Sequence, residues 1–185
     1  GDVNEDGFPD LLVLNYGPNS LLLNNGDGTF SNKSSSLGST NMEMEWSSSG
    51  AVADIDGDGL ADLTILNYGA GVEAVTHRCL QETTQIARAC SPLMFSGVAD
   101  RFLFNTGHSE AGSNFVDRTL QCSAPSVVGR GLGLVVGALG SDSSLGIFIA
   151  NDMTSNHYWS HQSETTSLLD ETAMMRGLAS DDRSP

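Results

Sequence analysis

Two stretches of this chain align without a gap, and each opens on the same spaced row of acidic and amide residues. The first reads Asp2-Val3-Asn4-Glu5-Asp6-Gly7-Phe8-Pro9-Asp10-Leu11-Leu12-Val13-Leu14-Asn15-Tyr16-Gly17. The second reads Asp54-Ile55-Asp56-Gly57-Asp58-Gly59-Leu60-Ala61-Asp62-Leu63-Thr64-Ile65-Leu66-Asn67-Tyr68-Gly69. A third, decayed copy ends in Gly146-Ile147-Phe148-Ile149-Ala150-Asn151-Asp152. Repetition of a short unit that cannot bury its own apolar face points to an architecture built by stacking that unit.

The downstream halves repeat as well. Asn19-Ser20-Leu21-Leu22-Leu23-Asn24 follows the first copy, Asp100-Arg101-Phe102-Leu103-Phe104-Asn105 the second, and Asn156-His157-Tyr158-Trp159-Ser160 the third. In the second copy Ala70 to Ala99 intervenes, an insertion of about 30 residues carrying Cys79 and Cys90. The runs Leu11–Leu14, Leu21–Leu23, Leu63–Leu66, Phe102–Phe104 and Ile147–Ala150 have strand length and are bounded by turn residues. Asn25-Gly26 and Asp27-Gly28 carry hairpin-turn chemistry. Gly50–Ala53 and Gly133–Gly137 read as first strands, whose small residues suit close packing near a central axis. Helical periodicity is weak throughout; Gln81 to Arg88 is expected to form a turn or two of helix.

Four short strands per repeat predict an all-β chain, a partial β-propeller of about three blades of antiparallel strands. Repeat 1 spans about 1–45, repeat 2 about 46–128 with the insertion at 70–99, repeat 3 about 129–175, and a further repeat begins at 176–185. Three blades are too few to close a ring, so the chain reads as a fragment of a larger propeller.

The pattern Asp-x-Asp/Asn-x-Asp-Gly-x-x-Asp has the chemistry of a hard-cation cage. Calcium takes about six to eight oxygens, and alternate residues of a tight loop can turn carboxylates inward while a glycine permits the sharp bend. Asp54, Asp56 and Asp58 supply that row in the second loop. The Phe8 and Leu60 carbonyls complete one side, and Asp10 and Asp62 close the cage. An EF-hand would need Glu at the twelfth position and flanking helices; Val13 and Ile65 stand there, inside expected strands. The first loop lacks an upstream strand, which predicts a loosely held loop. The third copy offers Ala138, Gly140, Asp142 and Gly146 at the ligand positions, too few carboxylates for a metal.

Composition agrees with a cation binder. Eight Lys and Arg stand against 23 Asp and Glu, a formal charge of −15. That balance argues against nucleic-acid backbones and anionic lipid, which need basic stripes. The most apolar window, Gly131 to Ala150, is broken at Gly140–Ser144, so no membrane span is expected. Cys79 and Cys90 can close a small disulfide loop, as in secreted proteins, or remain two thiols. Cys122 is then buried or paired outside the chain, and the cysteine spacings match no zinc site.

These residues resemble the FG-GAP/VCBS repeats. Within them they are similar to the subgroup that includes cartilage acidic protein and its bacterial ASPIC/UnbV-type relatives. The matching features are Ser49-Gly50-Ala51 ahead of Asp54, Asp56, Asp58, Gly59 and Asp62-Leu63; Asp100-Arg101-Phe102-Leu103-Phe104-Asn105 with Gly107; Ile149-Ala150-Asn151-Asp152; and Cys79 with Cys90-Ser91-Pro92. The resemblance implies two Ca²⁺ sites, one at Asp2, Asn4, Asp6, Phe8 carbonyl and Asp10, the other at Asp54, Asp56, Asp58, Leu60 carbonyl and Asp62. It implies a non-catalytic segment of a secreted, periplasmic or cell-surface protein, with an extracellular protein or glycan as partner.

The remaining features point elsewhere only weakly. His157 and His161 would lie far apart along a strand. Gly129-Arg130-Gly131-Leu132-Gly133 precedes a strand, whereas a nucleotide loop opens a helix. No serine has a Gly-x-Ser-x-Gly elbow. Trp46, Trp159, Tyr16 and Tyr68 could stack on sugars, although the equal repeat positions of the tyrosines favour a structural role. Asn32-Lys33-Ser34 is a glycosylation sequon. The rival functions are a propeller enzyme acting on polysaccharide and a structural spacer.

Overall fold

The computed structural model describes residues 1–38, 44–107, 115–122, 128–139 and 145–160, and the backbone of 170 and 171. The chain opens with β1 (Leu11–Val13), β2 (Ser20–Asn24) and β3 (Phe30–Asn32), which form one antiparallel sheet in that order. β4 (Glu45–Ala53) and β5 (Asp62–Ala70) follow. The insertion then contributes one helical turn, α1 (Glu73–Thr76), and a hairpin of β6 (Cys79–Leu80) and β7 (Ala87–Arg88). β8 (Arg101–Asn105) and β9 (Phe115–Asp117) return to complete a second sheet, ordered β4-β5-β8-β9. The third sheet runs β10 (Gly131–Gly137), β11 (Gly146–Asn151), β12 (His157–Ser160) and β13 (Asp170–Glu171). These meandering antiparallel sheets are blades of a partial, all-β propeller.

The apolar pattern decides how the blades stack. A strand between two neighbouring blades must bury both faces, so its apolar run is nearly continuous and alternate residues serve opposite neighbours. Leu63 and Ile65 of β5 and Leu103 of β8 face the first blade, packing with Val3, Leu21, Leu37 and Phe115. Leu66, Phe102 and Phe104 project the other way and pack with Ile55, Cys122, Ile147, Ile149 and Trp159. Each interface between blades is therefore a separate apolar layer. Cys122 belongs to the second layer and is 2% exposed. Trp159 is 3% exposed, its ring 4.8 Å from that of Phe102. It is a core residue and offers no face to a sugar.

The first strands approach each other closely, as their small residues suggest. β10 packs on β4 and β5, and Ser48 Oγ donates to the Gly131 carbonyl at 2.5 Å. A Cβ on Gly50 would lie 2.8 Å from the Thr64 carbonyl, and one on Gly131 2.9 Å from Leu66 Cβ. Only glycine fits at either point.

Tyr68 crosses between blades: its hydroxyl donates to Asp152 Oδ2 at 2.6 Å. Burial, then this hydrogen bond, push its pKa up to about 12. Trp46 packs on Tyr68 with ring centroids 5.0 Å apart and bridges to Tyr16.

The helix expected over Gln81 to Arg88 is not formed. That stretch is the β6–β7 hairpin, with Cys79 opposite Arg88 and Leu80 opposite Ala87. The reason is the Cys79–Cys90 disulfide, which holds the two Cα atoms 5.2 Å apart. Eight helical residues would separate the segment's ends by about 12 Å, so the chain must double back. It does so at Gln85, whose φ is +56°. Asp142, His161 and the repeat expected at 176–185 lie outside the described residues.

Candidate metal centre

Each acidic loop is a nine-residue turn that ends in a strand, β1 for the first and β5 for the second. The turn follows from residues with positive φ at the fourth and sixth positions: Glu5 (+59°) and Gly7 (+87°) in one, Gly57 (+78°) and Gly59 (+94°) in the other. Between those points the carboxylates of the loop cap its own amides. The Gly7 amide donates to Asp2 Oδ2 at 2.9 Å, as the Gly59 amide does to Asp54 Oδ2 at 3.0 Å. The Phe8 amide donates to Asp6 Oδ1 at 2.9 Å, as Leu60 does to Asp58 Oδ1 at 2.8 Å. These bonds hold the side chains of the first and fifth positions, and the Asp6 and Asp58 amides hold the third by donating to Asn4 Oδ1 and Asp56 Oδ1, each at 3.3 Å. In the second loop, oxygens of Asp54, Asp56 and Asp58 all lie within 4.8 Å of one another. Asp62 stands outside that group. In the first loop the middle position is an amide, and Asn4 Nδ2 donates to Asp6 Oδ2 at 2.9 Å.

The ninth-position aspartates have a second task that the motif alone does not reveal. Asp62 is completely buried. It takes the Ile55 amide on Oδ2 at 2.8 Å and the Asn105 amide on Oδ1 at 2.7 Å. Asp10 does the same with Val3 (2.8 Å) and Asn24 (2.9 Å). Each therefore ties its loop to the third strand position of its own blade. The first loop makes the same anchoring hydrogen bonds as the second. Its mouth is closed by Gly1 and Asp10, whose backbones bond in both directions, where the second loop has the pair Ala53 and Asp62 in the β4–β5 ladder.

Sequence reasoning did not single out Asn24 and Asn105. Both repeat at the end of the second half, and that repetition was the available signal. Asn105 Nδ2 donates to the Ala61 carbonyl and also to the Val3 carbonyl of the first loop, at 3.1 and 2.9 Å. It thus links the two loops across the blade interface. Asn15, Asn67 and Asn151 form a second repeated set whose side-chain amides donate to the carbonyls of Pro18, Ala99 and Ser155; Asn15 and Asn151 close short turns, and Asn67, inside β5, reaches across the insertion.

The charge balance of the second loop is strained. Burial, and next the charge of Asp58, raise the pKa of Asp56; Arg118, 3.8 Å away, opposes them. Burial pushes Asp62 up to about 6, against its two amide donors. An all-oxygen, carboxylate-rich donor set of this kind fits a hard divalent cation, which would supply the missing positive charge.

The other candidates lie elsewhere. His157 is buried, with Nδ1 3.9 Å from Asp100 Oδ2. Gly129 to Gly133 leads into β10, and Arg130 donates to the Phe95 carbonyl. Asn32 is exposed at the end of β3 and accepts from the Ser34 amide at 2.9 Å. Among the described residues, no helix is long and apolar enough to cross a membrane.

No curated protein matches the chain. Residues 2–65 match the FG-GAP-like repeat model; they contain both acidic loops and run from β1 into β5, so this part of the chain carries an FG-GAP-like repeat.

Proposed function

We propose that the chain is a calcium-binding, non-catalytic propeller segment of an extracellular or cell-surface protein. The observation that carries this reading is the pair of in-register loops with one hydrogen-bond scaffold. Ca²⁺ would be held by Asp54, Asp56, Asp58, the Leu60 carbonyl and Asp62, and by Asp2, Asn4, Asp6, the Phe8 carbonyl and Asp10. Its charge would offset the carboxylate repulsion and stiffen the turn between neighbouring strands. The loops would then serve as rivets of a scaffold, and the insertion, projecting from the second blade, would recognise a protein or glycan. The Cys79–Cys90 bond suits an oxidising compartment. The insertion and the Asp100–Asn105 run are the basis for the subgroup of cartilage acidic protein.

Calorimetric titration of chelator-stripped protein with Ca²⁺, with Mg²⁺ as control, tests this. Two calcium-selective sites are expected. Absence of heat in a folded protein would reduce the loops to ordinary turns and remove the reading.

A further inference from the structure

The β6–β7 hairpin gathers a second donor set, of opposite chemical character to the acidic loops. Atoms of His77, Cys79 and Cys90 that could each ligate a metal all lie within 4.8 Å of one another. Met94 adds a thioether, its Sδ 3.5 Å from Cys79 Sγ. The His77 ring is set edge-on to Phe95, with centroids 6.1 Å apart, and Cys90 Sγ lies 3.9 Å from the His77 carbonyl oxygen. No spacing in the sequence announces this group, because the hairpin brings together residues 77 to 79 and the 90 to 94 turn. Packing alone does not call for it: His77 is exposed, and Met94 is 55% exposed. Two potential thiolates, one imidazole and one thioether form a soft set. The thioether in particular favours Cu(I) over zinc.

We infer that the Cys79–Cys90 disulfide masks a Cu(I) site made of Cys79, Cys90, His77 and Met94, which opens on reduction. Reduction places two electrons and two protons on the two sulfurs. The electrons come from two small-molecule thiols, which leave as their own disulfide. Cu(I) then enters without further electron transfer and displaces the thiol protons to solvent, since the thiolate is the ligand. The insertion thereby becomes a redox-dependent metal trap, independent of the calcium loops and of the function assigned to them.

The test uses the full chain with Cys122→Ala, so that a third sulfur does not compete, and with Ca²⁺ present. A phosphine reduces the disulfide and leaves as phosphine oxide, with water as the oxygen source. Cu(I) affinity is read by competition with a chromophoric Cu(I) chelator. One Cu(I) per chain is expected after reduction and none before it. His77→Ala and Met94→Leu, both at exposed side chains, should each weaken binding by about tenfold or more, the scale on which loss of a partner acts at metal sites. Circular dichroism should stay unchanged. Equal Cu(I) affinity in the oxidised protein, indifference to both substitutions, or zinc binding as tight as Cu(I) would each overturn the assignment.

Discussion

The two acidic loops share a backbone and carry four acidic residues each, but place them differently. Both turn on positive φ at the fourth and sixth positions, both cap their own amides, and both anchor a buried ninth-position aspartate to the next strand. Yet the first holds Asn4 where the second holds Asp56, and Glu5 where the second holds Gly57. The scaffold therefore follows from where amides and carboxylates recur. The number of carboxylates at the ligand positions, three in the first loop and four in the second, is a separate variable, set by residues that the scaffold tolerates in either form. Hydrogen bonding builds the loop, and electrostatics sets how strongly it needs a cation.

The largest expected effect comes from the part the loops share. Asp62→Ala would strand the buried amides of Ile55 and Asn105. At about 1–3 kcal/mol for each unsatisfied donor, the loss is about 2–6 kcal/mol, measurable by urea unfolding in chelator. Asp10→Ala should cost less, because Asn24 is less buried than Asn105. Equal losses would mean that burial does not separate the two anchors.

Charge should come next. Calcium affinity follows ligand charge count, so Asp56→Asn should weaken the second site by about tenfold, and Asn4→Asp should strengthen the first by a similar factor. Calorimetry should show each single variant bringing the two sites to similar affinity, and the double variant reversing their rank. If neither moves, the third-position side chain is not a ligand.

Acidity should act on the second loop. Asp62 lies above its ordinary pKa, at about 6. In calcium-free protein its contribution favours folding below its unfolded pKa and is lost as pH rises through about 6. Calcium reverses the sign, since it needs the carboxylate. Affinity at the second site should fall as pH drops through about 6, by about tenfold per unit for one proton taken up. Titrations at pH 5 and pH 7 read this, and Asp62→Asn should reduce the dependence to the part due to Asp56, whose pKa burial and Asp58 also raise.

The smallest effect concerns the turn itself. Glu5 occupies left-handed backbone where Gly57 does so without a side-chain penalty. Glu5→Gly should stabilise the protein by about 0.5 kcal/mol, the relief of strain being partly offset by a freer unfolded chain. Gly57→Glu should destabilise by about 1 kcal/mol. Thermal denaturation of both variants checks the signs.

Much of this was legible from the chain alone. Strand positions followed from runs such as Leu63–Leu66, because a blade strand buries both faces and shows it as a short apolar block. The Gln81–Arg88 stretch was misread, because local propensity does not register a covalent closure between Cys79 and Cys90. Trp159 was open to a sugar-stacking role until its ring was found against Phe102, since sequence gives residue type and not the layer it enters.

By itself, then, the sequence determined the repeat unit, most strand positions and the composition of both acidic loops, all of them local matters of spacing and turn chemistry. Only the tertiary structure decided that Asp10 and Asp62 serve as buried anchors and that Asn105 reaches from its own blade to the Val3 carbonyl of the other loop. It also decided that His77 and Met94 meet the cysteines of the insertion. Those contacts join residues whose separation along the chain carries no periodic signal, and they exist because blades pack face to face and a hairpin folds back on itself.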